Sequence, residues 1–156
     1  MRTKILFLVV LLPGLLSFAR IPAAVDQAGQ ISLRVTPLSI NFRAADPDLE
    51  PNISADNPVL VEISVEVSRP WRLTLRAEGD LRGDRGGSIP ISNVTWTPTA
   101  SPPFINGNLV SRNPQLAASG QGPAEVRGEL NFFFHNSWDY QSDGYSQAVT
   151  FTLAIL

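Results

Sequence analysis

A chain of 156 residues with no cysteine has room for one domain and cannot build a disulfide scaffold, so its stability must come from an apolar core. Hydrophobic residues make up 44% of it, with 13 Pro and 11 Gly, which suits many short strands joined by turns. The net charge of −2 argues against electrostatic binding of nucleic acid or of anionic membrane surfaces.

The chain opens Met-Arg-Thr-Lys, runs from Ile5 to Leu16 with Pro13 and Gly14 as interruptions, and then reaches Ile21-Pro-Ala-Ala-Val25. A basic start, a short apolar stretch and small residues at a cut are the plan of a secretory signal. The apolar run is about 12 residues, short of the roughly 18 to 20 that span a bilayer as a helix. Cleavage is expected near Ala23 or Ala24, giving a signal over residues 1–24 and one domain over 25–156; an uncleaved N-terminal anchor is the alternative. Loss of residues 1–24 removes Arg2, Lys4 and Arg20 but no acid, so the product has nine cations, all Arg, against 14 acids. The product is expected to be extracytoplasmic, with no membrane insertion once the signal is gone.

Beyond the signal the apolar residues alternate rather than recur at helical spacing. Ile31, Leu33 and Val35 alternate with Ser32 and Arg34; Pro37 breaks the run, and Leu38, Ile40 and Phe42 resume it. This reads as two short strands, or one strand bent at Pro37. Residues 44–58, with three prolines and four acids, read as a loop. Val59, Val61, Ile63, Val65 and Val67 then face one way while Leu60, Glu62, Ser64, Glu66 and Ser68 face the other. After a turn at Arg69-Pro70, Trp71, Leu73, Leu75 and Ala77 alternate with Arg72, Thr74 and Arg76. The two strands read as a hairpin, with Glu62 and Glu66 facing Arg72 and Arg76 across its wet side.

Residues 78–87 are polar and Gly-rich, a loop. Ile89 to Trp96 is a strand with an irregularity at Ser92-Asn93, Thr97 to Pro103 a turn, and a short strand lies around Asn106-Gly107. Leu116-Ala-Ala precedes the breaker run Ser-Gly-Gln-Gly-Pro123. Val126, Leu130, Phe132 and Phe134 alternate with Arg127, Glu129, Asn131 and His135, a core strand with the final strand pairing after it. Asp143-Gly144 makes a turn, and from Tyr145 the residues Tyr145, Val149, Phe151, Leu153 and Ile155 share one face. A strand so apolar needs a second sheet over it. Seven to nine strands at such spacing predict an all-β, immunoglobulin-like Greek-key sandwich.

Several of these features together resemble bacterial immunoglobulin-like surface domains. They are the Pro37-Leu-Ser-Ile-Asn-Phe42 strand before an acidic Pro-rich loop, Trp71 anchoring the Val59–Ala77 pair, and Tyr140-x-x-x-Gly144-Tyr145 followed by Val149-Thr-Phe-Thr-Leu153. Over residues 30–156 the chain resembles spore coat protein U, fimbrial-subunit-like and WxL-type families, without the cysteines of the first or a Trp-x-Leu repeat beyond Trp71-Arg-Leu73. The resemblance implies a role at a cell surface and a closing strand like those of these families.

Candidate chemistry is sparse. His135 is the one histidine, and no Gly-x-Ser-x-Gly elbow accompanies it, so nucleophilic catalysis has no visible machinery. Asp46, Asp48, Glu50 and Asp56 are of a type to hold calcium, though without EF-hand spacing; a solvated acidic loop is the plain alternative. Arg82-Gly-Asp84 is an adhesion-type tripeptide, and Asn52-Ile-Ser54 and Asn93-Val-Thr95 are glycosylation sequons. Trp138, Tyr140 and Tyr145 offer an aromatic platform for sugars, or else a core plug with a tyrosine-corner hydrogen bond. Trp71, Tyr140, Gly144, Tyr145 and Phe151 are expected to be structural. The function expected is that of a non-enzymatic structural or adhesive subunit of a surface assembly, without cofactor. Its partners are copies of itself or other subunits that pair strands, with Ala24–Val35 and the C-terminal strand as candidate donors. The alternative is a small carbohydrate- or calcium-binding module.

Overall fold

The period-two alternation along the chain sorts its strands into two facing layers, each with its apolar side turned inward. The structure, a computed structural model, describes residues 2–12, 31–141 and 143–156. Its strands are β1 (Arg2–Leu12), β2 (Ile31–Thr36), β3 (Ser39–Phe42), β4 (Asn52–Ser54), β5 (Val59–Val65), β6 (Pro70–Ala77), β7 (Leu81–Gly83), β8 (Ser88–Ile89), β9 (Val94–Pro98), β10 (Gly107–Asn108), β11 (Gln115–Gln121), β12 (Ala124–His135) and β13 (Gly144–Ile155). A 3-10 turn at Ile91–Asn93 is the helical element found among the described residues, and none of their helices is long and apolar enough to cross a membrane. The first sheet runs β11-β6-β13-β1-β3, with β7 beside β13 and β8 beside β7. The second runs β10-β9-β12-β5-β2, with β4 beside β12. Strand pairings are antiparallel except that of β1 with β13.

The core lies between the sheets. From the second sheet Val59, Val61, Ile63 and Val65 of β5 and Leu130, Phe132 and Phe134 of β12 are buried. They face Trp71, Leu73 and Leu75 of β6 and Val149, Phe151 and Leu153 of β13. Each such side chain contributes about 1.5–3 kcal/mol of transfer free energy before chain entropy is charged against it. Phe42 and Phe134 meet across the layers with centroids 5.9 Å apart and planes at 46°. Close approach also shapes the core: a Cβ on Gly128 would stand 2.5 Å from Phe104 Cε2, so the ring lies over bare backbone.

The all-β sandwich is as the alternation predicts, but several elements differ. The Val59–Ala77 pair is not a hairpin. β5 belongs to the second sheet and β6 to the first, so the Arg69-Pro70 link carries the chain across the core. Glu62 therefore meets Arg34 (3.7 Å) and Arg127 (3.8 Å) on flanking strands, and Arg76 lies by Glu78 at 4.0 Å. The final strand likewise pairs with β6 and not with β12. Pro37 does separate two strands, and they fall in different sheets. The loops expected at 44–58 and 78–87 contain β4 and β7, each inserting one buried residue, Ile53 or Leu81. The Leu116–Gly120 stretch is part of β11, paired along β6 with an irregularity between Leu116 and Ala118. The irregularity expected at Ser92-Asn93 is a 3-10 turn, with β8 in the first sheet before it and β9 in the second after it.

Candidate functional site

The feature that sets this sandwich apart is the place of β1. Strand β13 is 12 residues long and lies inside its sheet. On one side β6 pairs with Val149–Ile155 and β7 with Tyr145 and Ser146. On the other side β1 runs parallel to it in unbroken register, from Arg2 opposite Gly144 to Leu12 opposite Ala154. The far edge of β1 pairs with β3, Thr3 opposite Phe42 through Leu6 opposite Ser39. Among the described residues, 2–12, the segment expected from the sequence to be an export signal, thus form the strand between β3 and β13.

Without β1 the sheet has a slot between those two strands. Its floor is apolar: Tyr145, Val149, Phe151 and Leu153 from β13, Ile40 and Phe42 from β3, all buried. Its walls are the backbone N–H and C=O groups of β13 and β3, which any extended segment can satisfy. β3, four residues long, cannot cover β13 by itself. That mismatch of lengths was the available signal in the sequence. The export-signal pattern hid it, because an apolar run without alternation reads equally as a signal core or as a strand buried on both faces.

A latch holds β3 from its other side. Phe42 bridges Ala55, and Asp56 N–H donates to Asn41 O at 2.9 Å. In return Asn41 donates to the Asp56 carboxylate from its backbone N (3.0 Å) and from Nδ2 (2.9 Å). Partial burial pushes the Asp56 carboxyl upward, but hydrogen bonds from Asn41 and from Asn57 outweigh it and hold the pKa below the usual Asp value. A carboxyl depressed in the folded state stabilises above its unfolded pKa, and that stability is lost as pH falls through the folded value. Asp56→Asn is therefore expected to lower the urea midpoint at pH 7. The gap to the parent chain should narrow as pH drops below about 4, the ordinary Asp range. Equal gaps at pH 7 and pH 3 would show that the charge on Asp56 contributes nothing to the latch.

The other candidates scatter. Asp46 accepts from Asp48 N–H at 2.9 Å, Asp48 from Trp138 Nε1–H at 3.0 Å, and Glu50 pairs with Arg43. With Asp56 on Asn41, the four carboxylates point to four different partners, and no group of three metal-ligating side chains forms among the described residues. Trp138, Tyr140 and Tyr145 do not share a platform. Trp138 is 67% exposed, whereas Tyr145 is buried and Tyr140 packs on Phe134 at 6.1 Å with its hydroxyl accepting from Asn93 Nδ2 at 2.8 Å. That bond also engages the amide of the second sequon.

Tyr145 Oη donates to Gln141 O, four residues upstream, at 3.2 Å, in the manner of a tyrosine corner. Burial, then the charge of Asp143, pushes its phenol up. Trp71 is buried at the start of β6, its indole N–H without a hydrogen-bond partner in the structure. Gly144 opens β13 and its carbonyl accepts from Asp84 N at 3.0 Å; Phe151 sits opposite Leu75 and Val9 in the middle of the sheet. Arg82-Gly-Asp84 lies where β7 turns toward β8. His135 is exposed, its Nδ1 3.4 Å from Asn52 Oδ1 of the first sequon. No protein-family model and no curated protein sequence matches the chain.

Proposed function

We propose that this chain is an exported, non-enzymatic structural or adhesive subunit of a cell-surface assembly, completed after export by a strand supplied from outside residues 25–156. The observation that carries it is the coincidence of two segments: the strand that closes the sheet is the segment the sequence marks for removal. Removal leaves an apolar slot edged by unpaired backbone groups, the kind of edge that strand addition uses for affinity. The resemblance to spore coat U and fimbrial-type domains supports the same reading. A non-enzymatic role is supported by carboxylates that are already engaged one by one and by a lone, exposed His135.

The test is to secrete the full chain from a bacterial host. The exported product is weighed by mass spectrometry and then passed through size exclusion with light scattering over a range of concentrations. The expected product begins near Val25 and does not persist as a cooperatively melting monomer. A processed product that is a stable monomer at every concentration overturns the proposal.

A further inference from the structure

We infer that this chain associates with copies of itself through two oppositely charged side-chain patches, placed at opposite edges of the first sheet. The contact exchanges no strand, so it goes beyond the reading above and does not depend on it. The net charge of −2 hides how the charges are sorted by place.

The acidic patch stands on the loop after β3. Leu49 N–H and Glu50 N–H both donate to Asp46 O, at 3.1 and 2.8 Å, in a turn that leaves Leu49 79% exposed. Trp138 Nε1–H donates to Asp48 Oδ1 at 3.0 Å, which ties the indole to that turn with 67% of its surface in solvent. A single exposed apolar residue is ordinary, but here the indole is tied to the residue next to an exposed leucine. Asp46, Asp48 and Asp139 are exposed about them, and Glu50 is paired with Arg43.

The basic patch is the outer face of β6 and β11. Arg72, Thr74 and Arg76 alternate with the buried Trp71, Leu73, Leu75 and Ala77 and so point away from the core. Leu116 lies opposite Thr74, between the two arginines along the strand, and is 42% exposed. Arg76 Nε–H donates to Arg112 O at 3.3 Å, which brings a third arginine to the patch. Arg112 is held at φ 60°, in the left-handed region uncommon for a residue with a Cβ, while its N–H donates to Ala77 O at 2.9 Å. Gathering like charges on one face is unfavourable unless an anion meets them. Glu78 lies 4.0 Å from Arg76, and Arg72 and Arg112 have no acid partner among the described residues.

The two patches match in kind. Each sets exposed apolar surface among charges of one sign, and the indole offers a face on which a guanidinium stacks. Strands β6, β13 and β1 lie between β11 and β3, a span of roughly 19 Å, so one copy cannot close the contact on itself. The acidic patch of one copy therefore meets the basic patch of the next, a head-to-tail contact that extends into chains or closes into rings.

The test uses the full chain, in which β1 fills the sheet, and reads size by sedimentation velocity over a range of concentrations. Association is expected at about 20 mM salt and should weaken at least about tenfold at about 500 mM, where charges are screened within roughly 4 Å. Two double variants, Arg72→Gln with Arg112→Gln and Leu49→Ser with Trp138→Ser, alter exposed side chains, and circular dichroism melts check that both fold as the parent does. Each alone should be monomeric. Mixed in equal amounts they should form a dimer and nothing larger, since one intact acidic patch and one intact basic patch remain between them. A parent chain that stays monomeric at low salt and high concentration would overturn the inference. So would association that neither salt nor the variants change, which belongs to strand pairing and leaves the reading above standing. A monomer that instead captures sulfated dextran through Arg72 and Arg112 would assign the basic patch to an acidic polymer and overturn the contact between copies.

Discussion

Cutting the chain to residues 25–156 is expected to lower its unfolding free energy by roughly 4–9 kcal/mol relative to the full chain, by the transfer cost of half-exposing six buried side chains. Those six form the slot floor: Ile40, Phe42, Tyr145, Val149, Phe151 and Leu153. Domains of this size are stable by only about 5–15 kcal/mol, so the cut brings the chain near its threshold. The backbone groups of β13 and β3 face water afterwards and carry no burial penalty, which is why the side chains dominate the estimate. Ordering residues 2–12 costs the full chain conformational entropy that the short chain does not pay, and the burial of those residues themselves offsets that cost, which leaves the exposed flanking side chains as the difference between the two chains. Urea unfolding followed by tryptophan fluorescence reads it, because Trp71 and Trp96 are buried whereas Trp138 is exposed in the folded chain. The short chain should retain strand signal in the far ultraviolet, bind a hydrophobic dye and lose its sharp transition. Midpoints that agree within a few tenths of a molar would mean that β1 lies on the sheet without holding it.

The same slot shows how far a sequence of this kind can be read. Alternation placed β5 and β13 nearly to the residue, because an antiparallel sheet with one wet face writes its burial directly into period two. Alternation could not tell a hairpin from a crossing. Val59–Val65 and Trp71–Ala77 bury their odd-numbered residues in either arrangement, and the choice rests with the short link between them. The ion pairs expected from the hairpin fail for that reason alone: Glu62 keeps Arg partners, but they come from β2 and β12. Short strands held by one buried side chain, as with Ile53 and Leu81, vanish among Pro, Gly and acid residues. For the aromatics, the sequence left a shared platform and a core plug as alternatives, because proximity in sequence does not separate the two. Between Trp138 and Tyr145 the chain turns from solvent into the core, so neighbours in the sequence lie in different environments.

Phe134→Ala is expected to cost about 3–5 kcal/mol, the range for deleting a buried phenylalanine ring that its surroundings cannot refill. Phe134 is fully buried on β12 and joins three parts of the molecule. Its ring packs on Phe42 of β3 at 5.9 Å and on Tyr140 at 6.1 Å. It is thus the link from the second sheet to the wall of the slot, and to the tyrosine whose hydroxyl holds Asn93. Removing the ring should loosen β3 as well as the core. That local effect separates it from a cavity elsewhere: amide hydrogen exchange at Ser39–Phe42 should rise by more than the global loss of stability explains. Pairing Phe134→Ala with Phe42→Leu in a double-mutant cycle should give a coupling of about 0.5–1.5 kcal/mol, the usual worth of a tilted aromatic pair beyond its area. Phe134→Leu keeps most of the volume and should cost less than half as much as alanine. Additive losses, with exchange at β3 following global unfolding alone, would mean that the second sheet does not brace the slot through this ring. β3 would then depend on β1, on the Asp56 latch and on the remaining core contacts of Ile40 and Phe42.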